Sequence, residues 1–254
     1  MDKEVDQKNS IVSISLISET KEAFFEEFFK LYNRNSSILL NLQKNLKNTV
    51  KNLNLEEDRQ LGYAGEMLTM FIAESLSNDV SKSKTIYLMV EEVIGDLRRR
   101  EEWDVLDTKI ASILSGYCMF PKLLQDFRGR ILKECVNHKL IETQATVHLS
   151  CMRRISKISH YERHMNSNFK ESTLEDLAHF CELNFKEISE LCDKHNNRTF
   201  EVFRNHALVR YGTFYRDINK ISEGLSALED LKEYDLVQSL VEEIKDLFGY
   251  YRPF

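Results

Sequence analysis

The sequence predicts an all-α protein, an elongated antiparallel three-helix coiled-coil bundle that dimerises. Three observations predict it. Pro occurs twice and Gly eight times in 254 residues, where average usage gives about 13 and about 18. A sheet protein needs those residues at its turns. Apolar residues recur in helical steps along three stretches of roughly 60, 80 and 57 residues. At about 1.5 Å rise, a 60-residue helix reaches about 90 Å, whereas a compact chain of this size has a gyration radius of about 18 Å. Each apolar stripe then needs a neighbour, and the remaining stripe a second copy.

Residues 1–18 read as an N-terminal lead. Thr20 or Ser18 can cap the first helix, with Glu22, Glu26 and Glu27 in its opening turns. Its stripe runs Phe24, Phe28, Leu31, Ile38, Leu42, Leu46, Val50 and Leu53. Glu56, Glu57 and Asp58 mark a bend or a solvated turn, and the stripe resumes from Leu61 to Leu76. Ser77-Asn78-Asp79 is the first good stop signal.

The second helix is expected from about Val80 to about Ser159, through Ile86, Val90, Val93, Leu97, Leu106, Ile110, Ile113, Tyr117, Leu124, Phe127, Ile131, Cys135, Leu140, Thr143 and Val147. The charged run RRREEWD can break it. Pro121 inside it removes a hydrogen bond and clashes with the previous turn, so a kink is expected there. Residues 160–172 lack periodicity and read as a loop.

The third helix starts at Ser172 or Thr173, with Glu175 and Asp176 in its first turn. It runs to about Glu229 through Leu177, Cys181, Phe185, Ile188, Cys192, Phe203, Val209, Phe214, Ile218, Ile221, Leu225 and Leu228. A short amphipathic helix follows and ends at Gly249, with Pro253 behind it. The expected organisation is thus a lead at 1–18, a three-helix domain at 19–230, and a short helix with its tail at 231–254.

The net charge is −6, which argues against wholesale nucleic-acid binding. Five Cys without framework spacing fit free thiols in a reducing compartment. The stretch IVSISLI, with two Ser, is a poor signal-peptide core. IYLMV, the longest aliphatic run, is far short of a membrane span. The expected setting is therefore cytosolic. The sequons at Asn35 and Asn197 then carry no sugar.

Charge is unevenly spread. Residues 151–170 hold Arg153, Arg154, Lys157, Arg163 and Lys170 against Glu162, a net +4, and the remaining 234 residues carry −10. In an elongated bundle this stretch sits at an extremity. It suits anionic lipid headgroups at about 1 kcal/mol per basic residue, or is a solvated helix end whose cations answer the dipole. Arg98, Arg99 and Arg100 precede Glu101, Glu102 and Asp104, which points to intrahelical pairing. Trp103 beside them reads as a packing residue before a contact anchor. The amphipathic lead from Ile11 to Phe29 has an acidic polar face, which favours packing over a membrane surface.

Cys135-x-x-His138 and Cys192-x-x-His195 have spacing that can place ligands on one helical face. Both lie in apolar stripes, where Cys and His are ordinary core residues, so no metal is expected. The Glu-x-x-His spacing of di-iron bundles does not occur. No phosphate loop, G-x-S-x-G or H-E-x-x-H motif is present. No catalytic residue and no cofactor is expected.

Four segments carry a resemblance. EAFFEEFFKLYNR is similar to an aromatic, acidic first-helix entry. LSGYCMFPKLLQDFRGRILKECVNHKLIETQAT is similar to a second helix with an early Tyr and a later aromatic-Arg step. NFKEISELCDKHNNRTFEVFRNHALVRYGTFYRDINKISEGLSAL is similar to a third helix, and MRRISKISHYER sits where a basic tip belongs. Together they resemble the BAR domain of the sorting nexins over about residues 19–230. The phosphoinositide-binding PX domain that sorting nexins carry ahead of it is absent, which implies an excised piece or a shortened relative.

The resemblance implies a curved dimer, formed with itself or with a related BAR protein, that senses and imposes membrane curvature. Arg153, Arg154, Lys157, Arg163 and Lys170 would touch an anionic, phosphoinositide-containing membrane. The kink at Pro121 would help set the arc. The implied setting is peripheral on endosomal membranes, in sorting and tubulation. The alternative is a cytosolic helical protein–protein scaffold with no membrane role. A metal- or cofactor-using helical enzyme is the third reading.

Overall fold

The computed structural model describes residues 21–30, 58–76, 80–118, 121–164 and 171–248. They are mostly helical, with no strand among the described residues. The all-α expectation therefore holds. The chain divides into two units, Met1–Asn78 and Asp79–Phe254. The division falls on the Ser77-Asn78-Asp79 stop signal.

The first unit contains α1 (Lys21–Lys30) and α2 (Arg59–Leu76). Phe24, Phe25 and Phe28 of α1 are buried. Their rings meet edge-on or stacked at 5.2–6.0 Å. Asp58 caps α2, its Oδ1 accepting from Gln60 N at 3.0 Å and Leu61 N at 3.2 Å. Its Oδ2 holds Lys21 Nζ at 2.6 Å. The expected lead at 1–18 and the stripe from Leu31 to Leu53 lie outside the described residues.

The second unit contains α3 (Val80–Arg99), α4 (Val105–Leu114), a 3-10 turn (Ser115–Tyr117), α5 (Pro121–Asn137), α6 (Ile141–His164), α7 (Glu171–Lys194), α8 (Arg198–Tyr215), α9 (Ile218–Asp230) and α10 (Tyr234–Phe248). The expected helix over 80–159 is therefore four helices and a 3-10 turn. The expected helix over 172–229 is three. Each interruption has a local cause.

The charged run breaks the first of these stretches, as its composition allowed. Asp104 caps α4 by accepting from Asp107 N at 2.8 Å. Trp103 turns inward, donating its Nε1–H to Leu97 O at 2.8 Å and packing edge-on against Phe127 at 5.8 Å. Arg130 of α5 lies over the indole at 4.4 Å. It donates to the carbonyls of Arg98, at 2.9 Å, of Arg100, and of Glu101, at 3.2 Å. The Arg98 carbonyl is an orphan of the last turn of α3, and the other two belong to the loop after it. Arg99 and Arg100 approach Asp96 at 3.6 and 3.8 Å.

Pro121 is the first residue of α5, which corrects the expected kink inside a continuous helix. At that position the missing N–H costs nothing and the fixed φ suits the helix.

The remaining breaks have no glycine. Lys139, Arg216 and Lys232 each adopt positive φ near 60° just past α5, α8 and α9. Each is followed by a residue whose N–H bonds five back: Leu140 to Cys135 O at 2.8 Å, Asp217 to Gly212 O at 2.8 Å, and Glu233 to Leu228 O at 3.0 Å. These are Schellman ends built with Lys or Arg where Gly is usual. Helix α8 begins after Asn197, whose side chain accepts from Phe200 N at 3.2 Å. Asp217 caps α9 by accepting from Asn219 N at 3.1 Å and Lys220 N at 3.2 Å.

Helices α8 and α9 cross at very short range. A Cβ on Gly224 would meet Val209 Cγ2 at 2.7 Å and Asn205 O at 2.8 Å. One on Gly212 would meet Asp217 O and Ile221 N at 2.9 Å. The same crossing builds a core from Val209, Ile221, Leu225 and Leu228 together with Leu236, Val237, Leu240 and Ile244 of α10. Full burial of such a side chain is worth about 1.5–3 kcal/mol. Helix α10 is thus part of the bundle's core, within the same unit as α8 and α9.

Candidate functional site

Two buried polar clusters lie within the second unit. The first joins α5, α6 and α7. Arg128 donates its Nε–H to Asn184 Oδ1 at 2.8 Å and an Nη2–H to Glu187 Oε2 at 2.6 Å, with its guanidinium 5.6 Å from the Phe180 ring centre. His148 Nδ1 lies 3.0 Å from the same Asn184 Oδ1. Asn184 Nδ2 donates to Phe180 O at 2.7 Å. That fixes the amide's orientation, so Oδ1 accepts and His148 Nδ1 carries the proton. His148 Nε2 faces Glu187 Oε2 at 3.6 Å. Burial and the Arg128 charge lower the His148 pKa to about 4, against the opposing bond to Asn184.

The second cluster joins α6, α8 and α10. Glu243 of α10 accepts from Arg153 Nε of α6 at 3.2 and 3.3 Å and pairs with Arg210 Nη1 of α8 at 2.7 Å. Burial would raise this carboxyl's pKa, but Arg153, Arg210 and Lys157 outweigh it and hold the group well below the usual range. Arg153 also donates to Tyr117 Oη at 3.2 Å, with that ring 5.5 Å away. Arg210 Nε donates to His206 Nε2 at 3.1 Å. His206 is therefore neutral, and burial with the Arg210 charge holds its pKa well below the ordinary value.

Three of the five cations expected at a tip have described side chains. Arg154 is 7% exposed and donates to Cys118 O. Arg153 is paired internally with Glu243. Their expected exposure at an extremity is corrected, because each finds a buried acceptor on another segment. Lys157 is partly buried and acts on Glu243. Arg163 lies in the last turn of α6, with its side chain outside the described residues. Lys170 lies outside them altogether.

The Cys/His pairs do different work. His138 Nε2 donates to Trp103 O at 2.8 Å, and His195 stacks on Phe200 at 5.0 Å. Among the described residues no group of three or more His, Cys, Asp or Glu is placed to hold a metal ion. All five Cys are buried and free. Burial pushes the thiols of Cys118, Cys135 and Cys151 up to about 12, which removes their nucleophilic form at neutral pH. No described helix is long and apolar enough to cross a membrane.

Arg128, His148, Asn184, His206, Arg210 and Glu243 were not expected as a site. A signal for two of them was present in the stripes. Arg128 follows Leu124 by one helical turn, and Asn184 falls three residues after Cys181 and four before Ile188. A polar residue in stripe register announces a buried network. The pairing of Glu243 with Arg153, 90 residues away, had no such signal.

The clusters are saturated by their own members, an arrangement that fixes helix positions and leaves little free valence for chemistry. No family model matches the chain, and neither a curated protein nor a solved structure matches it.

Proposed function

We propose that the chain is a non-catalytic helical scaffold that binds other proteins and has no membrane role of its own. One observation carries this reading. The basic stretch that a membrane contact would use is partly consumed inside the bundle, through Arg153 on Glu243 and Arg154 on the Cys118 carbonyl. Outside that stretch the chain is acidic, which repels anionic lipid and suits basic protein surfaces.

A second reading is the sorting-nexin-like BAR module, dimeric and peripheral on endosomal membranes. It is favoured by the packing of α6 against α7, two 24-residue helices joined through residues 165–170. Lys157, Arg163 and Lys170 would then form the tip, and the partner would be a second copy or a related BAR protein on a phosphoinositide-containing surface.

Sedimentation with vesicles of neutral and of anionic lipid, at low and high salt, separates the readings. The scaffold predicts no salt-sensitive binding to anionic vesicles. Binding that disappears in high salt and in the triple variant Lys157→Glu, Arg163→Glu, Lys170→Glu would overturn it in favour of the BAR module. Mass by light scattering on the same sample reads the dimer.

A further inference from the structure

We propose that His206 is an acid-sensitive pin beneath α10: a proton on its Nε2 breaks the bond that positions Arg210 for Glu243, and α10 comes away from α6, α8 and α9 while α9 keeps its place on α8.

The geometry is specific. His206 is 5% exposed, and its Nε2 lone pair accepts the Arg210 Nε–H at 3.1 Å. The other arm of that guanidinium holds Glu243 at 2.7 Å. Protonated Nε2 would turn a donor against a donor and set two cations side by side. The charged groups acting on His206 are Arg210 of α8 itself, Glu243 of α10 and Arg153 of α6. Helices α7 and α9 also flank α8, and among the described residues neither places a charged group that acts on the ring. Glu243 is already shared by Arg153 and Arg210, so it has little left to offer an imidazolium.

Release of α10 lets water reach His206, whose ordinary pKa is about 6.5. Proton uptake by the open form then multiplies the opening constant, by about 25-fold between pH 7 and pH 5. Over that range Glu243 adds only a factor of about 1.3, because pH 5 still lies above the ordinary carboxyl value of 4.5. His148 bonds Asn184 of α7 with the Arg128 charge of α5 beside it, away from this contact.

Hydrogen exchange read by mass spectrometry on the whole chain, corrected for the intrinsic pH dependence of exchange, tests the proposal. The opening constant for α10 amides is expected to rise about 25-fold from pH 7 to pH 5, and that for α9 amides less than threefold. In His206→Gln, which keeps an acceptor and does not titrate, the rise in α10 is expected to disappear. If circular dichroism shows that variant unfolded, His206→Phe replaces it with a ring that cannot titrate. Glu243→Gln is expected to raise α10 exchange already at pH 7. An α10 response no larger than that of α9, or one that persists without a titrating side chain at 206, overturns the proposal.

Discussion

Arg153 and Glu243 meet at 3.2 Å across 90 residues of chain, and Arg210 holds the same carboxylate at 2.7 Å. One acid therefore serves two cations, and the two ends of the arrangement are unequal. Glu243→Ala leaves both arginines without their counter-charge and is expected to cost about 3–5 kcal/mol. Arg153→Ala leaves Glu243 still paired with Arg210 and is expected to cost about 1.5 kcal/mol. Urea unfolding of both variants checks the order. Equal losses would show that Arg210 does not share the carboxylate.

Acid should begin to destabilise the second unit above the carboxylate range. His148 is held neutral, with a pKa near 4 against an ordinary value of about 6.5. Below pH 6.5 the unfolded chain binds a proton that the folded chain refuses, so stability falls as pH drops. The loss from this residue reaches about 3 kcal/mol by pH 4. His148→Gln should flatten the unfolding free energy between pH 6.5 and 4.5 relative to the unmodified protein. Glu243 acts over a lower window. Its depressed pKa contributes stability that is present above about pH 4.5 and lost as pH falls further.

Gly224→Ala should be among the costly small substitutions. The new methyl would meet Asn205 O at 2.8 Å and Val209 N at 3.1 Å, and backbone cannot step aside as a side chain can. Helices α8 and α9 would have to separate, at about 1–3 kcal/mol. Gly62→Ala in α2 is the contrast, since nothing lies within 4 Å of its added Cβ. There a gain of about 0.5–1 kcal/mol is expected. Thermal melts of the pair suffice.

Lys232→Gly should stabilise the protein although it shortens a side chain. A left-handed non-glycine residue costs about 1–2 kcal/mol, and glycine gives back about 0.5–1 kcal/mol of that in unfolded-state entropy. The net gain is about 0.5–1 kcal/mol. Lys232→Val, with its branched Cβ at φ 61, should instead lose stability. Opposite signs in chemical denaturation would establish the Schellman end.

The same left-handed residues explain what periodicity could and could not reveal. The stripe residues Leu124, Phe127, Ile131, Leu177, Ile188, Val209 and Leu225 are buried as their spacing requires. Helix ends are another matter. A Schellman turn needs one positive φ, and sequence announces that through Gly. At Lys139 and Arg216 the turn is imposed by packing on either side, so short helices read as one long one, whereas the break at Lys232 falls where the third helix was expected to end. RRREEWD was legible as a break because charge density conflicts with a buried stripe. The basic stretch was legible as charge, but not as buried charge, because Glu243 and the Cys118 carbonyl approach it only after folding.

Arg130 holds the loop between α3 and α4 through the main-chain oxygens of Arg98, Arg100 and Glu101 and through the face of the Trp103 ring. A clamp of that kind recognises the path of the chain and one aromatic face, and ignores the other side chains that hang from it. The side chains of Arg98, Arg100 and Glu101 are thereby excused from defining the turn. Their charges can be inverted or exchanged with the loop unchanged in shape. This corner is a place where the surface can acquire new recognition chemistry without renegotiating the fold.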